Sequence, residues 1–298
     1  MTHASASFTS DATPADVAPT IAESQHSAPV LRADKLAVKY GGMPAVDGIS
    51  LEIAPGSITA VIGPNGCGKS TLLRLLGRLA SPDEGTVLLD GVAISTLPTR
   101  EVAKKLGILP QSPQAPEGMT VGDLVSRGRD PHRRWYDQWS QSDEAVVSDS
   151  LERTGMAEFA DRQLDSLSGG QRQRAWIAMA LAQGTDILLL DEPTTFLDVV
   201  HQLDVLELVT ELHRDHGITV VMVLHDLSMA ARYADRLIAM RAGRVVADGT
   251  PAEVVTRETM AAVFDLDCEV ITDPRSGKPV VLPIGRARTD LTSGDNWS

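Results

Sequence analysis

The chain has 298 residues and carries 27 Lys and Arg against 40 Asp and Glu, so its formal net charge is −13. That balance argues against sequence-blind binding of a polyanionic backbone and leaves room for a small anion held at one local site. With 43% hydrophobic and 22% charged residues it is globular, long enough for a substantial core in one large or two modest domains. Cys67 and Cys268 are too few for a disulfide scaffold or a four-ligand zinc cluster and point to a reducing compartment, and no run supplies the roughly 20 apolar residues that cross a bilayer.

Residues 1–29 are rich in Ala, Ser, Thr and Pro with neither strand nor helix period, which predicts a disordered extension without a secretory signal. Order begins near Val30, where LRADKLAVKY alternates in part. ISLEI, the Pro55-Gly56 turn and SITAVI then suggest a hairpin region. Glycines interrupt the chain before the helical spacing of STLLRLLGRL. A strand over Thr86 to Leu89 reaches the Asp90-Gly91 turn, followed by a helix in TREVAKKL and a short strand in GILPQ. From 113 to 166 the texture becomes mainly helical, a candidate inserted subdomain. Beyond it GGQRQRAWIAMALA predicts a helix, ILLLD a buried strand, VVHQLDVLELVTELHRDHG a helix and ITVVMVLHD a strand. DRLIAM and GRVVADG form an expected strand pair, PAEVV and ETMAAVF short helices, and DPRSGK the turn of a terminal hairpin between CEVIT and PVVLP. This alternation predicts an α/β core with a mostly parallel sheet. The division that follows is 1–29 as extension, 30–250 as the main domain and 251–298 as a C-terminal extension with a flexible end.

The strongest local signal is GPNGCGKST, comprising Gly63, Pro64, Asn65, Gly66, Cys67, Gly68, Lys69, Ser70 and Thr71. It satisfies G-x-x-x-x-G-K-[ST] between a predicted strand and a predicted helix. Glycines let such a loop turn its N–H groups onto phosphate oxygens, Lys69 adds positive charge, and the helix start adds its dipole. Ser70 has a hydroxyl suited to Mg²⁺, and Thr71 can serve the phosphate end. Cys67, near a helix start and Lys69, is either a thiol of lowered pKa or an inert loop residue.

A second constellation is ILLLDEP, where Asp191 and Glu192 emerge at a strand end before Pro193. Asp191 can organise a metal shell while Glu192 orients or deprotonates water; the alternative is an ordinary charged strand end. Ser168, Gly169, Gly170 and Gln171 precede a long helical pattern, so Ser168 either caps a helix or joins an anion site. Gln111 is a turn residue or, through its amide, a sensor of metal or water. Tyr40 is edge packing or a nucleotide platform, and His225 a structural histidine or a phosphate contact. His201, His213 and His216 read as helical or surface residues.

Together these motifs resemble the ATP-binding-cassette ATPase family from about Leu31 to Gly249. The resemblance implies a P-loop nucleotide hydrolase core with an antiparallel β-subdomain and an inserted helical subdomain, binding ATP and Mg²⁺. It assigns Tyr40 to adenine stacking, Gly63–Thr71 to phosphates, Gln111 to the loop linking site and helical subdomain, and Ser70, Gln111 and Asp191 to the metal. It implies catalytic roles for Lys69, Gln111, Glu192 and His225, and places Phe196, Leu197 and Asp198 in a dimer-communication loop. LSGGQ, Leu167 to Gln171, would contact ATP held by a second copy in a head-to-tail pair.

Further stretches, among them GILPQSPQAPEGMTVGDLVSRGRDPHRRW and FDLDCEVITDP, resemble the importer branch for ferric siderophores and related iron chelates. Haem, vitamin B12 and metal-ion import are the neighbouring alternatives, and a soluble ABC-type switch in translation or nucleic-acid repair a distant one. The implied partners are an integral membrane permease and, indirectly, an extracytoplasmic substrate-binding protein, with no nucleic acid. The chain would sit peripherally on the cytoplasmic side of the cell or inner membrane. Arg127, Arg129, Arg133, Arg134, Trp135, Tyr136 and Trp139 are candidates for the permease-facing surface, or for anchors of the helical subdomain.

Overall fold

A computed structural model describes residues 30–134 and 137–287. The expected disorder of 1–29, the flexible end beyond 287, and Trp135 and Tyr136 lie outside the described residues. In chain order the strands and helices are β1 (Leu31–Tyr40), β2 (Met43–Ile53), β3 (Ile58–Ile62), α1 (Lys69–Leu76), β4 (Glu84–Leu89), β5 (Val92–Ala93), α2 (Thr99–Lys105) and β6 (Leu106–Leu109). Next come α3 (Val121–Arg127), α4 (Gln141–Arg153), α5 (Gly169–Gln183), β7 (Ile187–Asp191), α6 (Val199–His216), β8 (Thr219–Val223) and α7 (Leu227–Tyr233). The chain continues through β9 (Arg236–Arg241), β10 (Arg244–Gly249), α8 (Pro251–Val254), α9 (Arg257–Phe264), β11 (Leu266–Thr272) and β12 (Pro279–Arg286).

Apolar runs without alternation become the inner strands. Every residue of β3, β7 and β8 is buried, as parallel strands covered on both faces require. They lie in a six-stranded sheet of order β10-β9-β3-β8-β7-β6, parallel except for β10. Successive side chains go to opposite faces. Leu188 and Leu190 join one core with α5, α6 and α7, while Ile187 and Leu189 join a second with α1 and an antiparallel sheet. That second sheet has the order β2-β1-β4-β5.

The expected hairpin from ISLEI to SITAVI does not form. β2 pairs with β1, Ile53 opposite Leu31, and β3 crosses into the other sheet between β8 and β9. The cause is the difference between the two patterns. Ile49, Leu51 and Ile53 are buried while Ser50 and Glu52 face outward, which suits a one-sided antiparallel strand. β3 has no polar face and is accommodated only inside the parallel sheet. The terminal hairpin does form, with Val270 opposite Val281.

The helical insertion is built from α3, α4, three short 3₁₀ turns and the packed side of α5. Thr120 with Asp123 and Ser140 with Asp143 form capping boxes that start α3 and α4. Met156, Leu124, Val125, Val147 and Leu151 bury its interior face. Arg129 is turned inward and is therefore not a free docking charge: it pairs with Asp143 at 3.1 Å and donates to the Ala182 carbonyl at 2.8 Å. His132 Nε2 lies 2.7 Å from the Gln183 carbonyl, so both residues close the last turn of α5. Arg133 stacks over Trp139 at 5.1 Å.

The three unassigned histidines all lie on α6 with separate partners: His201 beside Asp204, His213 against the Ile218 carbonyl and His216 beside Arg153. Among the described residues no cluster of three or more His, Cys, Asp or Glu is placed to hold a metal. Leu189 on β7 is fully buried in the core it shares with α1, so Leu189→Ala is expected to lower the unfolding free energy by roughly 2–5 kcal/mol. Urea unfolding followed by circular dichroism checks this; an unchanged midpoint would contradict the two-sided burial of β7.

Candidate active site

The loop from Gly63 to Gly68 leaves β3 and enters α1. Gly68 has φ 106°, and a β-carbon there would stand 2.0 Å from the Ala45 carbonyl. At Gly63 a β-carbon would lie 2.3 Å from the Met240 carbonyl. Both positions therefore demand glycine for space as well as conformation. No side chain caps the start of α1, which leaves its first-turn N–H groups open to an anion.

Lys69 is only 4% exposed. Its ammonium donates to the Gly63 carbonyl at 2.8 Å and the Pro64 carbonyl at 3.1 Å, which supports the charge at the loop's centre. Ser70 Oγ donates to Asp191 Oδ1 at 2.7 Å. Asp191 is 2% exposed. Burial raises its carboxyl pKa, the Ser70 hydrogen bond opposes this, Glu192 adds to it, and Arg74 and Lys69 lower it.

Glu192 follows at the strand end with φ 52°. Its Oε1 lies 2.6 Å from His225 Nε2. Its Oε2 accepts from the Gln111 amide and, at 3.0 Å, from the Thr195 hydroxyl. Gln111, from the loop after β6, and His225, from the loop after β8, thus meet on one carboxylate.

These groups surround a cleft of about 500 Å³. Of the expected residues, Tyr40, Asn65, Gly66, Gly68, Lys69, Ser70 and Thr71 line it, together with Gln111, Glu192 and His225. Asp191 stands behind Ser70. Gly63 and Pro64 turn their carbonyls to Lys69 and do not line the cleft. Cys67 also points away: it is 4% exposed, and burial raises its thiol pKa despite the nearby Lys69. Of the two readings of Cys67, the inert packing residue holds and the thiol of lowered pKa does not, and its expected place among the nucleotide-binding residues is not one that lines the cleft. Ala45 and Thr195 were not anticipated. A hydroxyl three residues after Glu192 in a Pro-containing turn is a signal for Thr195; Ala45 has no local signal.

Ser168, Gly169, Gly170 and Gln171 stand outside this cleft. Ser168 and Gln171 form the capping box of α5, and Ser168, Gly170 and Gln171 line a separate cavity of about 350 Å³ with His201. Leu197 and His201 press against this turn: β-carbons on Gly169 and Gly170 would lie 3.3 Å and 3.1 Å from their side chains. Beside them Phe196 is 88% exposed, and Val199 and Val200 are exposed as well. The cavity at the Ser168–Gln171 turn and the phosphate-loop cleft therefore share no lining residue within the chain.

Residues 46–195 match the family model described as ABC transporter. The chain belongs to the ABC transporter family. It is a P-loop ATPase of that family, with an antiparallel β-subdomain and inserted helices around the core, and ATP is its ligand. The petrobactin import ATP-binding protein FpuD of Bacillus anthracis is 52% identical, covering 87% of this chain and 94% of that protein. The ferric enterobactin transport ATP-binding protein FepC of Escherichia coli is 50% identical over 86% of this chain and 94% of its own. A bacterial ABC transporter cassette solved as a dimer superposes with a TM-score of 0.66 at 30% identity, covering 74% of this chain and 98% of that one. The cassette architecture is thus one that pairs.

With both cysteines of this ABC ATPase buried and both thiol pKa values raised first by burial, the native chain is expected to react slowly with maleimide at pH 7. The rate should climb as pH rises toward the raised thiol pKa values, and unfolding in urea should release both thiols. Peptide mass spectrometry after timed labelling reads this; rapid native labelling of Cys67 at pH 7 would contradict its placement.

Proposed function

We propose that this ABC ATPase drives import of a ferric siderophore or related iron chelate through a partner permease. The observation that carries the substrate class is the near full-length likeness, at 50–52% identity, to proteins named for petrobactin and ferric enterobactin. The chemistry rests on the cleft. Tyr40 offers a face for adenine, the N–H groups of Gly66 to Thr71 cradle the phosphates, and Lys69 supplies charge to the β- and γ-phosphates.

The donor set beside the phosphates fits Mg²⁺: a hydroxyl and a buried carboxylate 2.7 Å apart, both hard oxygen ligands, without histidine or thiolate. Ser70 and Asp191 would hold the ion, with Gln111 near by, and the ion would supply positive charge to offset that of the phosphate oxygens. Glu192 orients the attacking water and accepts its proton, and His225 fixes the carboxylate through Oε1. Ser168, Gly169, Gly170 and Gln171 of a second copy, paired head to tail, close over the phosphates. Phe196, Val199 and Val200 support that pairing by their exposure next to the turn of Ser168 to Gln171.

Among the described residues no helix is long and apolar enough to cross a membrane. Substrate passage is therefore assigned to the permease, with this chain held peripherally at its cytoplasmic face and an extracytoplasmic binding protein delivering the chelate. Arg127, Arg133 and Trp139 line an open cleft of about 670 Å³ on the helical insertion, the surface we assign to the permease. Residues 30–250 are the cassette in this reading and the β11–β12 hairpin belongs to its C-terminal extension.

Glu192→Gln keeps size and polarity but removes the proton acceptor, so turnover is expected to fall by about 10² or more while an ATP-bound dimer accumulates. Light scattering and phosphate release on the same preparation test both halves. Parental turnover in the folded variant would remove Glu192 from the catalytic role. With its permease reconstituted, the complex is expected to take up labelled ferric siderophore only with ATP. Uptake of another nutrient alongside failure across a panel of iron chelates would discard the substrate class.

A further inference from the structure

Glu192 has a left-handed backbone, φ 52°, which a residue bearing a β-carbon enters at a steric cost. The turn that imposes it closes at Thr195, whose N–H donates to the Glu192 carbonyl at 3.2 Å. The same Thr195 donates its hydroxyl to Glu192 Oε2 at 3.0 Å. One residue thus grips Glu192 twice, at the main chain and at the carboxylate. The other two groups on that carboxylate come from elsewhere: Gln111 from the loop after β6 and His225 from the loop after β8. Movement of either loop carries its bond away, whereas the Thr195 bond travels with Glu192.

We propose that Thr195 is a positioning residue for ATP hydrolysis, its hydroxyl bond to Oε2 fixing the plane in which the Glu192 carboxylate meets the attacking water. The inference rests on the reading of Glu192 as the base. In the step, the water oxygen forms a bond to the γ-phosphorus and the bond from that phosphorus to the β–γ bridging oxygen breaks, releasing ADP. The water proton passes to Glu192, and Thr195 keeps its own. The terminal torsion of a glutamate is broad and roughly two-fold, so once the loops of Gln111 and His225 shift, a carboxylate without the Thr195 bond spreads over orientations of which few are productive. The effect falls on kcat and leaves ATP affinity alone, because Thr195 does not line the nucleotide cleft.

Thr195→Val removes the hydroxyl and keeps both the β-branch and the N–H; Thr195→Ser restores the hydroxyl. Steady-state phosphate release by the full chain is expected to show kcat reduced about ten-fold in Thr195→Val, from loss of one hydrogen bond to a charged group. KM for ATP and the thermal midpoint should stay at parental values, and Thr195→Ser should recover most of the rate. In a Glu192→Gln background Thr195→Val should bring no further loss. Should Thr195→Val fail to fold, Thr195→Ala makes the same comparison. Parental kcat without the hydroxyl, a Thr195→Ser chain as slow as Thr195→Val, or an equal loss in the Glu192→Gln background overturns the proposal. If Glu192→Gln abolishes turnover while Thr195→Val leaves it intact, only the positioning role falls; if Glu192→Gln turns over normally, the base assignment falls with it.

Discussion

The register of three parallel strands fixes everything that happens at the site. β3, β8 and β7 are aligned so that Val61, Val223 and Asp191 stand side by side. The residues that follow leave the sheet at the same level: Gly63 at the head of the phosphate loop, His225 one residue beyond Leu224, and Glu192 directly after Asp191. Because these strands are buried on both faces, a slip by one residue would exchange every side chain between the two cores. The packing that stabilises the sheet therefore also sets the spacing of phosphate loop, carboxylate and histidine.

Electrostatics at that edge follow from burial. Asp191 and Lys69 are charged groups almost removed from water, and each has a specific internal partner: the Ser70 hydroxyl for one, two loop carbonyls for the other. An unpaired charge in such a place is strongly destabilising. Nucleotide binding in this arrangement exchanges one set of hydrogen bonds for another, so affinity reflects the difference between two satisfied states. Glu192 is different in kind. Its carboxylate is held by groups from three separate segments, which makes it the point where the loop after β6, the loop after β8 and its own turn compare positions.

Most elements were legible because the residues that form them are unambiguous. GPNGCGKST between a strand and a helix, ILLLD without polar interruption, and Ser168 three residues before Gln171 each constrain local structure directly. The failures share a cause. The ISLEI–SITAVI segment contains a good turn, yet pairing is decided by whether a strand has one apolar face or two, and tertiary burial overrides the local signal. The sequence leaves Arg129 open between a docking surface and an anchor of the insertion, because its partners Asp143 and the end of α5 are brought to it only by the fold. The motif leaves Cys67 open between an activated and an inert thiol, and burial, which local sequence does not report, decides for the inert one because desolvation outweighs the Lys69 charge. Ala45 enters the cleft only because β2 runs past Gly68, a juxtaposition of backbone that composition does not encode.

The contacts of Arg129 and His132 with the final carbonyls of α5 have an electrical consequence. A helix of 15 residues is a rod about 22 Å long with partial positive charge at its start and partial negative charge at its end. The Arg129 guanidinium, whose charge is shared with Asp143, and the His132 ring bond carbonyls at the negative pole and soften it. The opposite pole, at Ser168 to Gly170, bears no acidic residue in its first turn and keeps its field. The helix is consequently lopsided, its carbonyl end tied up by side chains from the insertion and its amide end left as the more open electrical face.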